Sequence, residues 1–442
     1  MREARELHEP LFRQYSAHPF SEQLARVSAI LDSAPGVILE LHSRLANGRD
    51  SRGAKGMSAE NILRAALLMQ AQDLTFDELS FQIADSQAAR AFVRVPEGET
   101  FARSTLQANI AAIPVEIWQR LQFQTVKIAQ ESGLETGRQM RMDATVVETN
   151  ISHPLDSTML VDALRVVSRI VHWLEDTHEM KVKIPFKFKA GHKLKVKILN
   201  AKNDEERRSF YTPLIIGTGD TWRSLDRVLD ALRSLPSGTS GRDRRVAEIE
   251  NLKALLSPVL AQAIVRIIDR ETVPASEKVI SLFEPHSDVI IKGSREVEFG
   301  RKVYFSTGRS NLVADVYVAQ GNPSDSDLFL PLLERLREIY GRVPRQTSCD
   351  GGFASQENVE EAKDAGVKDV CFTKRVALEP EEMCKSRWVF KKLAAFRAGI
   401  ESNISALKRA FGLSRVRWKT EDGFMKAVWS SVCAYNLMLM AS

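Results

Sequence analysis

Three acidic residues occupy positions at which regular secondary structure would hold a carboxylate rigidly. Asp143 lies within RMDATVVETN, and Asp350 ends the segment RQTSCD immediately before two glycines. Glu401 lies in a helix-forming segment near the end of the chain. Carboxylates on separate rigid elements can hold two divalent ions about 3.5 to 4 Å apart, the arrangement that phosphodiester chemistry requires. The expected ion is Mg²⁺, which binds through a few carboxylates, waters and substrate phosphates, and whose charge offsets the repulsion among the acids.

The segment around Glu401 has two side-chain stripes if it is helical. Apolar residues would form a stripe that faces a core, and charged residues would line its edge. The simpler interpretation is an i,i+4 ion pair plus a surface lysine, and such a pair stabilises a helix by only about 0.2 to 0.5 kcal/mol. Taken alone, this helix favours the simpler interpretation. The apolar stripe consists of Leu393, Ile400, Ile404, Leu407 and Phe411, and the charged stripe of Arg397, Glu401 and Lys408.

The most basic segment, KVKIPFKFKAGHKLKVK at 181–197, carries seven lysines and no acid. If it is extended, alternate side chains point the same way, so the lysines form rows that can follow a phosphate backbone. A solvated positive surface is the usual explanation of a short basic run. Here the absence of any intervening acid favours a polyanion partner. The candidate DNA-contacting lysines are Lys181, Lys183, Lys187, Lys189, Lys193, Lys195 and Lys197.

The composition is that of an ordinary globular protein, with 442 residues, 44% apolar and 27% charged, and a formal net charge of +5. This length suffices for two or three domains. The sequence contains neither an apolar run of about eighteen residues nor an apolar signal region at its start, which predicts a cytoplasmic protein that does not engage a membrane. The cysteines include no C-x-x-C pair, so we expect reduced thiols rather than a zinc ribbon or a disulfide framework.

The N-terminal part, from Phe20 to about residue 130, is predicted to be helical. Ser58 is a candidate N-cap, and Thr75 with Glu78 forms a candidate capping box. The glycine-containing basic segment 47–56 interrupts the helices. Short helices joined by tight turns are typical of helix-turn-helix DNA-binding domains, although many other helical modules share this pattern.

Strand patterns begin after Gly137. Helical periodicity returns over 157–275, and a Thr307-Gly308-Arg309 turn predicts a hairpin. The helix that follows residue 323 begins with acidic residues, which the helix dipole favours. The predicted strands are 141–150, 277–283, 301–306, 312–319, 345–350 and 367–374.

If the helical stretch 157–275 is left out, the predicted strands and helices follow one another in the order of a ribonuclease-H-like fold. In such a sheet, a strand that ends in a glycine turn presents its last side chain at the rim where ligands bind, and Asp350 has that position. We therefore predict an α/β protein with a ribonuclease-H-like mixed sheet and a helical insertion, preceded by an all-α N-terminal domain. The predicted domains are 1–136 and 137–442, with the basic helical insertion at about 157–275.

At these residues the sequence resembles the DDE transposases of bacterial insertion sequences that have an InsH-type N-terminal domain. The resemblance rests on DATVVETNISHPLDS at 143–157, on DGGFASQENVEEAKDAGVKDVCFTKR at 350–375, and on an R-x3-E-x6-K signature at Arg397, Glu401 and Lys408. The segments 74–92 and 301–329 are also similar to this family. One departure is Ala394, which stands where the family often has a tyrosine; Phe396 is the nearest aromatic residue.

The resemblance implies that Asp143, Asp350 and Glu401 are the catalytic metal ligands, for Mg²⁺ with Mn²⁺ as a substitute. It implies that Arg397 and Lys408 contact phosphates or transposon-end DNA. The expected partners are double-stranded DNA, as terminal inverted repeats and target, and a second copy of the chain in the synaptic complex, in the nucleoid of a bacterial cytoplasm. The expected reaction is hydrolysis at the element ends followed by transfer of the 3′-hydroxyl ends to target DNA. A catalytically inactive, repurposed DNA-binding protein is the alternative, and a plain metal-dependent nuclease is a third possibility.

Overall fold

The computed structural model describes residues 18–46, 56–96, 98–292, 296–373 and 378–442. The chain forms two compact units, one made of the residues up to Glu148 together with Lys302–Ser442 and the other of Thr149–Arg301. Most of the interruption predicted at 47–56, the start of the chain before residue 18, and the motif end at 374–375 lie outside the described residues.

The described helices are, in chain order, α1 (Pro19–Asp32), α2 (Pro35–Ala46), α3 (Ala59–Ala71), α4 (Phe76–Asp85), α5 (Gln87–Val93), α6 (Arg103–Ala111), α7 (Val115–Glu131), α8 (Asp156–His178), α9 (Phe188–Leu199), α10 (Asp204–Arg223), α11 (Leu225–Ser234), α12 (Arg242–Ala263), α13 (Asp325–Tyr340), α14 (Gln356–Asp364), α15 (Pro380–Met383), α16 (Arg387–Ala398), α17 (Ile400–Ala410) and α18 (Glu421–Met440). The strands are β1 (Gln139–Glu148), β2 (Asp288–Lys292), β3 (Glu296–Gly308), β4 (Val313–Val318), β5 (Gln346–Asp350) and β6 (Asp369–Thr373).

The helical N-terminal region is confirmed, and so are both predicted caps. The Ser58 side chain accepts from the backbone of Asn61 and forms a capping box with it, and Thr75 does the same with Glu78. These helices share one apolar core with the last helix, since Trp118 of α7 and Val432 of α18 are both buried in it. The boundary predicted at residue 136 is therefore not marked by separate cores.

The sheet is mixed, as predicted for an α/β protein. Its order is β2-β3-β1-β5-β6, with β4 paired to β3. Strands β1, β5 and β6 are parallel neighbours, and β3 pairs antiparallel with β2 and β4. The predicted hairpin is confirmed as β3–β4, with an irregularity between Ser306 and Thr307. The more specific ribonuclease-H-like assignment stays a prediction at this point.

The strand predicted at 277–283 is wrong. The segment begins at the end of a short 3₁₀ turn, Ala275–Glu277, and continues as irregular chain. Its backbone groups bond to side chains instead of to a neighbouring strand. The Gln262 side chain accepts from the Val279 N–H at 3.0 Å and donates to its carbonyl at 3.2 Å, and Ser281 Oγ accepts from the Glu284 N–H. The strand found next in the chain is β2.

The second unit holds the predicted helical insertion as α8 to α12. The basic segment is extended only as far as Lys187, because α9 begins at Phe188. In that helix Gly191 lies where a Cβ would overlap Leu164 of α8, and Ile198 is buried. These helix contacts determine the structure of the segment, although its lysines alternate with apolar residues as in a strand. The prediction of extended rows is therefore wrong for Lys189, Lys193, Lys195 and Lys197.

One helical stretch, Arg242–Asp269, is long and apolar enough to cross a membrane by length and composition alone. It comprises α12 and a π-helical extension, Ile264–Asp269. Its residues Ile249, Leu256 and Val259 are buried in the core of the second unit. Packing inside the second unit thus accounts for part of its apolar side chains, whereas Ile264 is 41% exposed. The four cysteines are free and buried, which confirms the expectation of unpaired thiols.

The turn before β1 requires a glycine at position 137, and this requirement can be tested. Gly137 has φ +65°, and a Cβ there would overlap the Tyr340 ring of α13. Gly133 has φ +72° with no atom within 4 Å of its Cβ position, so it supplies a matched control. We expect Gly137→Ala to lower the free energy of unfolding by about 3 kcal/mol, the sum of backbone strain and overpacking, and Gly133→Ala by about 1 kcal/mol. Urea titrations measure both, and equal losses would show that the Tyr340 contact contributes nothing.

Candidate active site

Two of the predicted acids lie side by side because their strands are parallel neighbours. In the register of β1 and β5 the last matched pair is Met142 with Cys349, so Asp143 and Asp350 follow on adjacent strands. Asp350 also caps the turn behind it, since its Oδ1 accepts from the Gly352 N–H at 2.8 Å. This hydrogen bond holds the carboxylate at the rim of the sheet, where the sequence predicted it.

The third acid, Glu401, is held by a joint between two helices. The stripes around Glu401 were predicted on a single helix, whereas α16 ends at Ala398 and α17 begins at Ile400. Arg141 of β1 fixes this joint by donating to the Phe396 carbonyl at 2.7 Å and to Asn403 Oδ1 at 2.8 Å. A Cβ at Gly399 would overlap the Arg141 guanidinium, so glycine is required there.

All three acids converge on the guanidinium of Arg397. Its nitrogens lie 2.7 Å from Asp143 Oδ2, 3.3 Å from Asp350 Oδ2 and 2.9 Å from Glu401 Oε1. The Arg397 side chain is only 7% exposed. The i,i+4 pair of the simpler interpretation is therefore present, but it is part of a larger cluster. The guanidinium faces the acids, so it could contact DNA only after moving away from them. The predicted contact between Arg397 and DNA therefore stays a prediction.

Burial makes Asp143 harder to ionise than an ordinary aspartate. Loss of hydration raises its pKa from 3.8 to about 6, and the charges of Asp350 and Asp325 also raise it. Arg397 and the backbone N–H of Ala144 oppose this shift. The carboxylate of Asp143 thus depends on a nearby cation to remain charged near neutral pH.

An open cavity of about 500 Å³ adjoins Asp143 and Glu401. Lys408 lies on its wall, which is the neighbourhood that the sequence predicted for it. Arg409 lines the same cavity, and the sequence did not indicate it because it lies off the stripe formed by Arg397, Glu401 and Lys408. The cavity therefore combines acids with two cations, a suitable combination for a phosphodiester and the ions that accompany it.

The acids fit a divalent cation by their chemistry. In the part of the chain that the structure describes, no group of three or more His, Cys, Asp or Glu side chains is arranged to hold a metal ion. The Arg397 guanidinium lies at the point on which the three carboxylates converge. Three carboxylate oxygens around a positive group are hard ligands of the kind that Mg²⁺ prefers. Binding an ion there would require Arg397 to move.

The pKa of Asp143 leads to a pH prediction. A carboxyl whose pKa is raised on folding binds its proton more tightly in the folded state, so its contribution to the free energy of unfolding falls as the pH rises from about 4 to about 6. In buffers without divalent ions, the free energy of unfolding of the wild type should fall between pH 4 and pH 7. We expect this fall to be smaller in Asp143→Asn by about 2 kcal/mol. Denaturant unfolding across this range measures it. Parallel curves for the two proteins would contradict the shifted pKa.

Part of the chain matches a known protein family. Residues 260–437 match the family model described as the transposase DDE domain, a region that includes Asp350, Arg397 and Glu401. No curated protein and no solved structure matches the chain. This region is thus similar to the DDE domain of transposases, which supports a DDE transposase, a DNA-cleaving enzyme.

Proposed function

We propose that this protein is an insertion-sequence transposase that cleaves phosphodiester bonds at the ends of its element and joins the freed 3′-hydroxyl ends to target DNA. The observation that carries the proposal is the convergence of Asp143, Asp350 and Glu401, from three separate elements, on one cation. The family match over 260–437 supports it independently. A ribonuclease-H-like catalytic fold forms part of the proposal, supported by the order of β1, the β3–β4 hairpin, α13, β5, α14 and β6.

Asp143, Asp350 and Glu401 would hold the divalent ions. When bound, Mg²⁺ or Mn²⁺ supplies activation of the attacking oxygen and stabilisation of the leaving one. The rigid strands and the α16–α17 joint orient the carboxylates, and the N–H of Gly352 keeps one Asp350 oxygen in place. Once displaced from the acids, the Arg397 guanidinium is suited to pair with a phosphate of the bound strand. Lys408 and Arg409 place further positive charge beside the same cavity.

The same centre serves hydrolysis and strand transfer, since a phosphodiester is attacked by a water oxygen in the first and by a 3′-hydroxyl oxygen in the second. The N-terminal helices are proposed to recognise the terminal inverted repeats. Two ends must be joined in one event, so the synaptic complex is proposed to contain two copies of the chain on double-stranded DNA, in the bacterial cytoplasm. The Asp143, Asp350 and Glu401 carboxylates are all retained, which favours an active enzyme over a repurposed DNA-binding protein.

The second unit offers a separate surface for the DNA backbone. Lys181, Lys183 and Lys187 are exposed, while the residues between Lys181 and Lys187 include partly buried apolar side chains that pack on the core of this unit. These lysines line a groove of about 670 Å³ together with Arg223 and Arg227, against only two acids, Glu175 and Asp220. On α9, Lys189, Lys193 and Lys197 recur every four residues as a second exposed stripe. We therefore propose backbone contacts from both groups of lysines.

The cleavage reaction tests the proposal directly. With Mg²⁺ and DNA that carries the inverted repeats flanking the gene, the wild type should nick the ends and join them to a target plasmid. Asp350→Asn should bind the same DNA but cleave about a thousandfold more slowly, because one carboxylate of the centre is lost. Asp364→Asn removes an exposed acid and should behave as the wild type. Equal inertness of wild type and Asp350→Asn would favour the repurposed binding protein, and cleavage without joining would favour a nuclease.

The groove predicts a salt dependence of DNA binding. Replacing Lys181, Lys183 and Lys187 by glutamine should reduce the slope of log K against log salt by about 3, since each lost phosphate contact removes about 0.9. The matched control replaces three exposed arginines of the same unit that pair with acids, Arg165, Arg207 and Arg233. Fluorescence anisotropy at several salt concentrations measures both slopes. A control that changes the slope as much as the lysine variant would show that the effect is general charge and not this groove.

A further inference from the structure

Asp325, the first residue of α13, is held by two donors from β3. Its Oδ1 lies 2.7 Å from Lys302 Nζ and accepts a hydrogen bond from Tyr304 Oη, also at 2.7 Å. The sequence explained this acid by the helix dipole, which stabilises an acidic first turn by about 0.3 to 1 kcal/mol. A dipole effect needs no fixed side chain, so the two donors indicate a further role.

The other oxygen of Asp325 faces the turn that presents Asp350. A Cβ at Gly352 would lie 2.8 Å from Asp325 Oδ2, which is closer than real Cβ atoms approach other atoms. The N–H of the same glycine is the donor that holds Asp350 Oδ1. Asp325 therefore packs against the backbone that orients Asp350, and the second glycine of the Asp-Gly-Gly sequence is required by this packing.

The charge of Asp325 also lies close to Asp350. Its Oδ2 packs against Gly352, and the N–H of that glycine holds the Asp350 carboxylate. Lys302 balances part of this charge, and the Asp325 side chain remains 26% exposed. The centre is thus surrounded by four carboxylates, of which only three contact Arg397.

We propose that Asp325 is a positioning residue of the centre: it fixes the Asp350 turn through Gly352 and adds a fourth negative charge that favours a divalent cation at Asp143 and Asp350. This inference rests on the proposed function, because it assumes that the three acids hold such an ion. Lys302 and Tyr304 hold the carboxylate in place for this role.

Direct Mn²⁺ binding to the purified full chain, without DNA, tests the inference by isothermal titration calorimetry. Asp325→Asn keeps an oxygen for Lys302 and Tyr304 but removes the charge, and it should weaken Mn²⁺ binding about tenfold, as other residues behind metal ligands do. Asp327→Asn, two residues further on the same helix, removes the same dipole charge at an exposed position and should stay within about twofold of the wild type. Equal affinities for Asp325→Asn and Asp327→Asn would overturn the inference.

A double-mutant cycle tests the packing against Gly352. Gly352→Ala alone should weaken Mn²⁺ binding, because its Cβ displaces the turn from Asp325. In an Asp325→Ala background the same change should have little further effect, since the obstructing carboxylate is gone. Additive effects would overturn the positioning role.

An Asp350→Asn control separates this inference from the proposed function. If wild type and Asp350→Asn bind Mn²⁺ equally weakly, the metal centre itself is refuted and the role of Asp325 with it. If Asp350→Asn loses binding but Asp325→Asn does not, only the role of Asp325 is overturned. Thermal unfolding of each variant verifies that all remain folded.

Discussion

The site depends on one buried guanidinium that balances three carboxylates from three elements. Arg397 contacts Asp143, Asp350 and Glu401 at 2.7 to 3.3 Å. Without a cation, acids so close together would repel one another and the most buried, Asp143, would take up a proton. Removing one partner of a buried ion pair typically costs about 3 to 5 kcal/mol. The positions of β1, β5 and the α16–α17 joint are therefore coupled through a single side chain.

Strands β1 and β5 and the joint between α16 and α17 pack closely enough for all three acids to contact Arg397. The parallel register of β1 and β5 places Asp143 beside Asp350. Arg141 pins the joint between α16 and α17, its guanidinium also packs on the Phe396 ring at 4.7 Å, and Ser348 Oγ donates to the Leu393 carbonyl. Phe396, the aromatic residue nearest the position where related signatures have a tyrosine, thus serves to hold Arg141 in place. Gly352 and Gly399 are the positions at which a side chain would separate the elements.

The sequence predicted the positions of the acids where a local strand or turn pattern contains a residue able to bind a metal ion. A β-branched segment around Asp143 predicted its place within a strand, and a glycine turn after Asp350 predicted that this acid lies at the sheet rim. Glu401 was predicted from its place in a helix-forming segment, and the resemblance gave it the role of third acid. The inward orientation of Arg397 was not predictable, because i,i+4 spacing suits a surface pair and a buried cluster equally. Asp325 was missed because the helix dipole already explained an acid there. The strand predicted at 277–283 failed because a distant glutamine, Gln262, takes its backbone hydrogen bonds.

If Arg397 occupies the place of a divalent cation, then removing it should make that place more available. The decisive measurement is the gain in free energy of unfolding on adding a fixed concentration of Mn²⁺, compared between wild type and Arg397→Gln. Without Mn²⁺ the variant should be less stable, by about 3 kcal/mol. On adding Mn²⁺ its stability should rise more than that of the wild type, because the ion no longer competes with a guanidinium. An equal or smaller rise in the variant would contradict a shared cation site at Asp143, Asp350 and Glu401.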